Sequence, residues 1–271
     1  MMRHKPERGR QLRKAFSSGY LFYLYLPILI LPIFSFNDSF YISFPLQGFT
    51  TRWYAELGAD PSIISALISS LQIASVTALL STILGVITAR ALTRHRLRGQ
   101  KSILTMIMLP IVVPELILGV SLLLALNEIG LGLGKWAVVA GHTLICFPFA
   151  VAILLSRFEG FDMALEEASL DLGETPWQTF WRIVFPLAVP GIVASFLLTF
   201  TISFDEFLIA FFLSATEPTL PVYLWGQLRF PKKLPSALAL GTLIIAVSFV
   251  VVAFAEWMRR QRTLQGIEPG N

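Results

Sequence analysis

Long apolar runs, separated by short polar intervals, set the plan of this chain. A helix needs roughly 20 apolar residues to cross about 30 Å of hydrocarbon. Six runs qualify: residues 19–36, 63–91, 102–126, 137–156, 188–213 and 236–258. The pattern predicts an all-α polytopic membrane protein with six transmembrane helices. Pro27 and Pro32 lie inside the first run and predict a kinked or broken helix whose freed carbonyls need neighbours or water. Six basic residues precede that run, as in a signal peptide, but Ser35-Phe36-Asn37 offers no small-x-small cleavage site. The run is therefore read as a permanent anchor.

Composition agrees with this plan: 55% of the 271 residues are hydrophobic and only 14% charged, too apolar for a soluble globular chain. The net charge of +4 would suit a nucleic-acid partner, but most basic residues sit just outside the apolar runs, where membrane orientation accounts for them. No nucleic-acid role is expected. With six spans, sixteen Lys and Arg fall on one side and five on the other. Both termini and the 157–186 interval are thus expected in the cytoplasm. The expected organisation is one domain: a basic tail at 1–18, a six-span membrane body at 19–258 and a second tail at 259–271. Trp53, Tyr54, Trp136 and Trp257 fit interfacial anchors. Cys146 is expected to pack in a helix, and His4, His95 and His142 lie too far apart to suggest a metal site.

The polar interval at about 161–186 is unusually structured. Acids and helix formers fill its first half, Gly173 stands where a helix C-cap belongs, and Thr175-Pro176 gives an N-cap followed by proline at the first helical position. Helix, tight turn, helix is the expected order. Ala164, Leu165, Ala168 and Leu172 share one side of the first helix and form a small-residue surface; Trp177, Phe180 and Trp181 share one side of the second. Such a hairpin either folds back on the inner ends of the bundle or docks in a partner's groove.

Within it stand Glu167-Ala168-Ser169, three residues, Gly173, nine residues, and Ile183-Val184-Phe185-Pro186. This spacing resembles the signature of the inner-membrane permease subunits of binding-protein-dependent ABC importers, with Ser169 and Phe185 replacing an alanine and a leucine. The likeness extends over about 60–258. It implies the type I, MetI-like permease fold, with the hairpin as the coupling helix that sits in a groove of a separate ATPase. It also implies two ATPase copies that bind ATP and Mg, a second similar permease and an extracytoplasmic binding protein, all at a bacterial inner membrane. Three further motifs resemble the spermidine/putrescine branch: Leu109-Pro110-x-x-x-Pro114-Glu115, Ser203-Phe204-Asp205-Glu206-Phe207 and Thr219-Leu220-Pro221-Val222-Tyr223. Permeases for opines and amino-acid derivatives share them.

An acid inside a span costs at least about 2.5 kcal/mol on insertion scales and demands a reason. Asp205 and Glu206 lie within the fifth run, and adjacent helix positions point about 100° apart, so only one can squarely face a central path. The resemblance implies that Asp205 lines that path, which leaves Glu206 as a packing or interface acid. The alternative is that both are satisfied by backbone, hydroxyls or a basic neighbour. Glu115 is a weaker path candidate, able also to meet groups freed by Pro110 and Pro114. Phe204, Tyr223 and Trp225 offer cation-attracting ring faces or ordinary packing.

The chain has no nucleotide-binding loop: Gly134-Lys135 has Ile129 where the first glycine belongs and Trp136 where Ser or Thr belongs. ATP hydrolysis is assigned to a partner, and no enzyme chemistry or cofactor is expected here. Two other classes stay open, an ion-coupled secondary transporter using Asp205 and Glu206, and a scaffold that anchors a soluble enzyme.

Overall fold

A computed structural model describes residues 7–95 and 98–265, with side chains over 13–95, 98–247, 249 and 250. Among the described residues every regular element is helical: α1 Glu7–Ser35, α2 Arg52–Ala59, α3 Pro61–Arg94, α4 Gln100–Val112, α5 Glu115–Glu128, α6 Lys135–Glu159, α7 Met163–Asp171, α8 Pro176–Thr179, a π-turn Phe180–Val184, α9 Phe185–Asp205, α10 Leu208–Leu213, α11 Leu220–Gln227, a 3₁₀ turn Pro231–Lys233 and α12 Leu234–Gln265.

The expected six spans are corrected by this architecture. Among the described residues, four helical stretches are long and apolar enough to cross a membrane: Arg13–Ser35, Pro61–Arg94, Lys135–Glu159 and Pro176–Asp205. Counting α4 and α5 as one broken span gives five. The third predicted run fails as a continuous helix because the chain bends by 100° between Gln100–Val112 and Glu115–Glu128. Pro114 is the cause: it disfavours helical geometry in the residue before it, and Val113 is extended at ψ 129°. The fifth run also stops short, at Asp205, and resumes as α10. The sixth predicted run lies within α12, whose side chains beyond residue 250 are outside those described. By contrast, α1 continues through both Pro27 and Pro32 as one helix.

The chain divides into two compact units, one formed by its ends up to Pro61 and from Leu224, the other Ser62–Tyr223. In the terminal unit α12 packs on α1 and α2. Trp53, expected at an interface, is instead fully buried and donates its indole N–H to the Asn37 carbonyl at 2.9 Å.

The central unit follows the packing logic of helices in lipid, where small residues let backbones approach and hydroxyls bond across. On α9 the buried positions Ala188, Gly191, Ser195, Thr199 and Ser203 recur every three or four residues, and α9 lies against α6. On α3 the buried face is rich in Ala, Ser and Thr, and Thr82 meets Ser195 at 3.3 Å. One core cluster joins Ile73, Val138, Ile145 and Cys146 to Ile209, Ala210 and Leu213 of α10. A second, at the other end of α9, joins Ala89, Leu154 and Phe158 to Val184 and Ala188.

Candidate functional site

Two features of the central unit carry chemistry. The first is the hairpin. Asp162 caps α7 by accepting from the Ala164 N–H at 3.0 Å. At the other end Gly173 takes φ +92°, its N–H bonds to the Leu170 carbonyl, and the Glu174 N–H bonds to that of Ser169. That pair is the Schellman closure, which requires a left-handed residue and hence favours glycine. Thr175 then opens α8 with a complete capping box: its hydroxyl accepts from the Gln178 N–H, and the Gln178 side chain accepts from the Thr175 N–H. The predicted helix, turn, helix order is thus reproduced with its caps. One extension was not predicted: α8, the π-turn and α9 run on as a single apolar stretch from Pro176 to Asp205.

Two buried polar ties fix the hairpin. Ser169, the serine that stands for alanine in the motif, meets Thr179 hydroxyl to hydroxyl at 3.0 Å, and both are buried. Glu166 is also buried; Arg90 donates to its two oxygens at 2.7 and 2.5 Å, and Arg94 lies 3.4 Å away. This is the bidentate fork that arginine makes with carboxylates. Between α3 and the hairpin lies a largely apolar cavity of about 1090 Å³, lined by Ile83, Ile87, Trp177, Phe180, Trp181 and Phe196 among others. The Arg90–Glu166 pair lines it too, and is the polar tie across it. Sequence reasoning missed Glu166. The signal was available, since Arg90 and Arg94 stand one helical turn apart at the end of an apolar run, but they were read only as orientation charges.

Of the predicted docking residues, Glu167 and Ala168 are exposed, Ser169 is buried, Gly173 shapes the turn, Ile183 lies in the π-turn and Pro186 opens α9 on an exposed position. Leu165 of α7 and Leu172, its C-cap, extend this exposed surface, the latter 87% exposed. An apolar surface of this kind on a capped, tied hairpin suits a partner's groove.

The second feature is the interruption after α9. Asp205 ends α9, Glu206 is extended at φ −68° and ψ 125°, and α10 starts at Leu208. The two acids are therefore not neighbours on one helix, and their surroundings differ sharply. Glu206 is buried: its carboxylate accepts from the N–H groups of Ile209 and Ala210, each at 3.1 Å, and lies 3.1 Å from Nε2 of His142. Asp205 is exposed, and no hydrogen bond or ion pair reaches it among the described residues. Its position continues the exposed side of α9 that carries Ala194, Leu198 and Thr201, opposite the buried Ser195, Thr199 and Ser203. Phe204 is half-buried and ends a stack in which Phe200 and Phe204 lie 6.0 Å apart and Phe196 and Phe200 6.3 Å.

The remaining candidates are not gathered there by any contact described. Glu115 is exposed at the first position of α5, and the Pro114 carbonyl is already taken by the Leu118 N–H. Tyr223 is half-buried at the end of the central unit, whereas Trp225 belongs to the terminal one. No group of three or more His, Cys, Asp or Glu is placed to hold a metal among the described residues. Cys146 is buried, with its thiol 3.6 Å from the Thr199 carbonyl.

A helical membrane protein that carries an unpaired acid at an interrupted span and a capped hairpin tied to its helix ends has the parts of a transport subunit driven from outside itself. The chain belongs to the family of inner membrane components of binding-protein-dependent transport systems, whose model matches residues 81–263. It is accordingly a non-catalytic ABC-importer permease subunit that moves a solute delivered by a periplasmic binding protein. It is 35% identical over 257 residues to the spermidine/putrescine transport system permease protein PotC of Escherichia coli strain K12, covering 94% of this chain and 96% of that one. The putrescine transport system permease protein PotI of the same strain is 37% identical over 244 residues, covering 87% and 85%. Among solved structures, a chain of a bacterial ABC transporter that imports the acidic polysaccharide alginate superposes with a TM-score of 0.76 at 18% identity, over 95% of this chain and 99% of that one. The MetNI methionine transporter gives 0.58 at 16% identity, over 76% and 96%. These two share the fold.

Proposed function

We propose that this permease passes a small organic cation, a polyamine such as spermidine or putrescine, from the binding protein to the cytoplasm, with Asp205 as the acid that attracts it. The observation that carries this is the exposure of Asp205 without a partner on a membrane helix. A bare carboxylate is not tolerated against lipid, so the side of α9 that bears it faces a watered path or a second subunit. Relatives named for spermidine and putrescine at 35–37% identity agree with a cationic solute. Phe204 beside it offers a ring face to an ammonium group; Glu115, Tyr223 and Trp225 are further path candidates.

In this reading the chain works beside a second permease and two ATPase copies that bind ATP and Mg, with the hairpin and both basic tails in the cytoplasm. The exposed residues Glu167 and Ala168, on a frame set by Ser169, Gly173, Ile183 and Pro186, meet the ATPase. Movement of the hairpin is passed along the continuous Pro176–Asp205 helix to the site, as expected of rigid-body alternating access.

The test is uptake of labelled spermidine and putrescine by the complete complex in proteoliposomes, with the native chain and with Asp205→Asn. The expected outcome is ATP-dependent uptake that falls by about tenfold or more in the variant, as for loss of a charge-assisted contact, while all subunits still co-purify. Uptake of an opine or amino-acid derivative instead, or full spermidine uptake by the variant, would overturn the assignment.

A further inference from the structure

The interruption after Asp205 has no proline or glycine to cause it; the sequence reads Ser203-Phe204-Asp205-Glu206-Phe207-Leu208. A residue of the neighbouring helix spans it. His142 of α6 is fully buried and touches both sides of the break. Its Nδ1 is 2.8 Å from the Ser203 hydroxyl, in the last turn of α9, and its Nε2 is 3.1 Å from Oε2 of Glu206, the residue that caps α10. The second approach is poorly aligned for a full hydrogen bond, so it is a close polar contact.

Chemistry orders the group. In the neutral tautomer with its proton on Nε2, toward the carboxylate, Nδ1 accepts from the Ser203 hydroxyl. Glu206 in turn accepts from both the Ile209 and the Ala210 N–H groups. The chain of contacts is Ser203 to His142 to Glu206 to the first turn of α10. It exists because α6 and α10 approach closely at Gly141: a Cβ there would lie 2.6 Å from Ile209 Cγ2 and 2.9 Å from Leu213 Cδ1. A buried carboxylate without such partners is among the costliest groups a protein interior can hold. Cys146 bonds elsewhere, to the Thr199 carbonyl.

We infer that His142 is a positioning residue for Asp205. It ties the last turn of α9 to the cap of α10, and so fixes where the helix ends and the direction in which Asp205 is presented. This rests on the reading of Asp205 as a path residue, but the geometry it claims is measurable without any solute. Continuous helix through Asp205 and Glu206 would carry Glu206 out of reach of the Ile209 and Ala210 N–H groups it now caps.

The experiment uses the complete complex with Cys146 replaced by Ala, so that a cysteine introduced at 205 or 198 is the permease's only thiol. Labelling by a charged methanethiosulfonate reagent is timed with His142 native, His142→Ala, His142→Gln, Glu206→Gln and the His142→Ala/Glu206→Gln pair. Removing a partner from a buried polar unit is expected to change labelling at 205 by about tenfold, while labelling at 198, two turns back on the same side, stays within about twofold. The double variant is expected to match the worse single one, because coupled groups fail together. His142→Gln, whose amide can donate to Glu206 and accept from Ser203, is expected to recover most of the native rate. In parallel, with Asp205 intact, His142→Ala is expected to raise the KM for spermidine uptake more than it lowers the maximal rate. Unchanged labelling at 205 in all variants, or single effects that multiply in the double, overturns the positioning role. If His142→Ala does not assemble, Ser203→Ala and His142→Gln decide it by the same labelling. A native complex that takes up no spermidine refutes the polyamine reading alone, since the labelling result stands apart from it.

Discussion

Replacing Glu166 by glutamine removes one charge and almost no volume, yet it should loosen the whole hairpin. Glu166 has a side chain only 6% exposed, facing two guanidinium groups whose side chains are 22% and 28% exposed. Glutamine keeps one acceptor oxygen but turns an amide NH₂ toward Arg90, donor against donor. Breaking a fully buried pair costs about 3–5 kcal/mol; water reaches both arginines here, which brings the expected cost to about 2 kcal/mol. At 1.4 kcal/mol per decade that is about a thirtyfold shift in the hairpin's opening equilibrium. Hydrogen exchange of the α7 peptide, read by mass spectrometry on the complex in nanodiscs, reports that equilibrium directly. The control is Asp171→Asn, in the same helix and exposed, for which exchange should stay within about twofold, as for surface substitutions generally. If Glu166→Gln leaves α7 exchange unchanged, or if Asp171→Asn accelerates it equally, the anchoring role assigned to the Arg90 pair is wrong.

Two further substitutions probe the packing. Gly141→Ala gains about 1 kcal/mol of helix propensity, but its methyl would press on Ile209 and Leu213, both fully buried, and overpacking costs about 1–3 kcal/mol; a lower thermal midpoint of the purified complex is expected, and a higher one would contradict the close approach. Ser169→Ala restores the motif's alanine but strands the buried Thr179 hydroxyl, for about 1 kcal/mol; exchange at the α8 amides should quicken, and adding Thr179→Val should restore much of the loss.

The hairpin was legible in the sequence because its signals are local. Gly173, Thr175 and Pro176 each act within a few residues of themselves, and their caps formed as read; the reply of Gln178 to Thr175 is as local but was not read. The break at Pro114 had a visible cause, yet its extent was underestimated: apolar length alone merged α4 and α5 into one span. The break after Asp205 had no local sign. It depends on His142, which is 64 positions away from Glu206 in the numbering and was read as an ordinary helix residue. The same holds for Glu166 and Arg90, joined across 76 positions. Periodicity reports which side of a helix is apolar, whereas these pairs depend on which helix comes to lie beside it.

The wide turn at Phe180–Val184 bears on how this chain tolerates changes of length. A π-turn is an α-helix carrying one residue more than its ladder requires, with the surplus absorbed in place. The helix on either side keeps its phase. Between the hairpin and Asp205 there is thus one slot where a residue can be lost without turning the acid to another face. The same change made anywhere between Phe185 and Asp205 would swing the acid by about 100°.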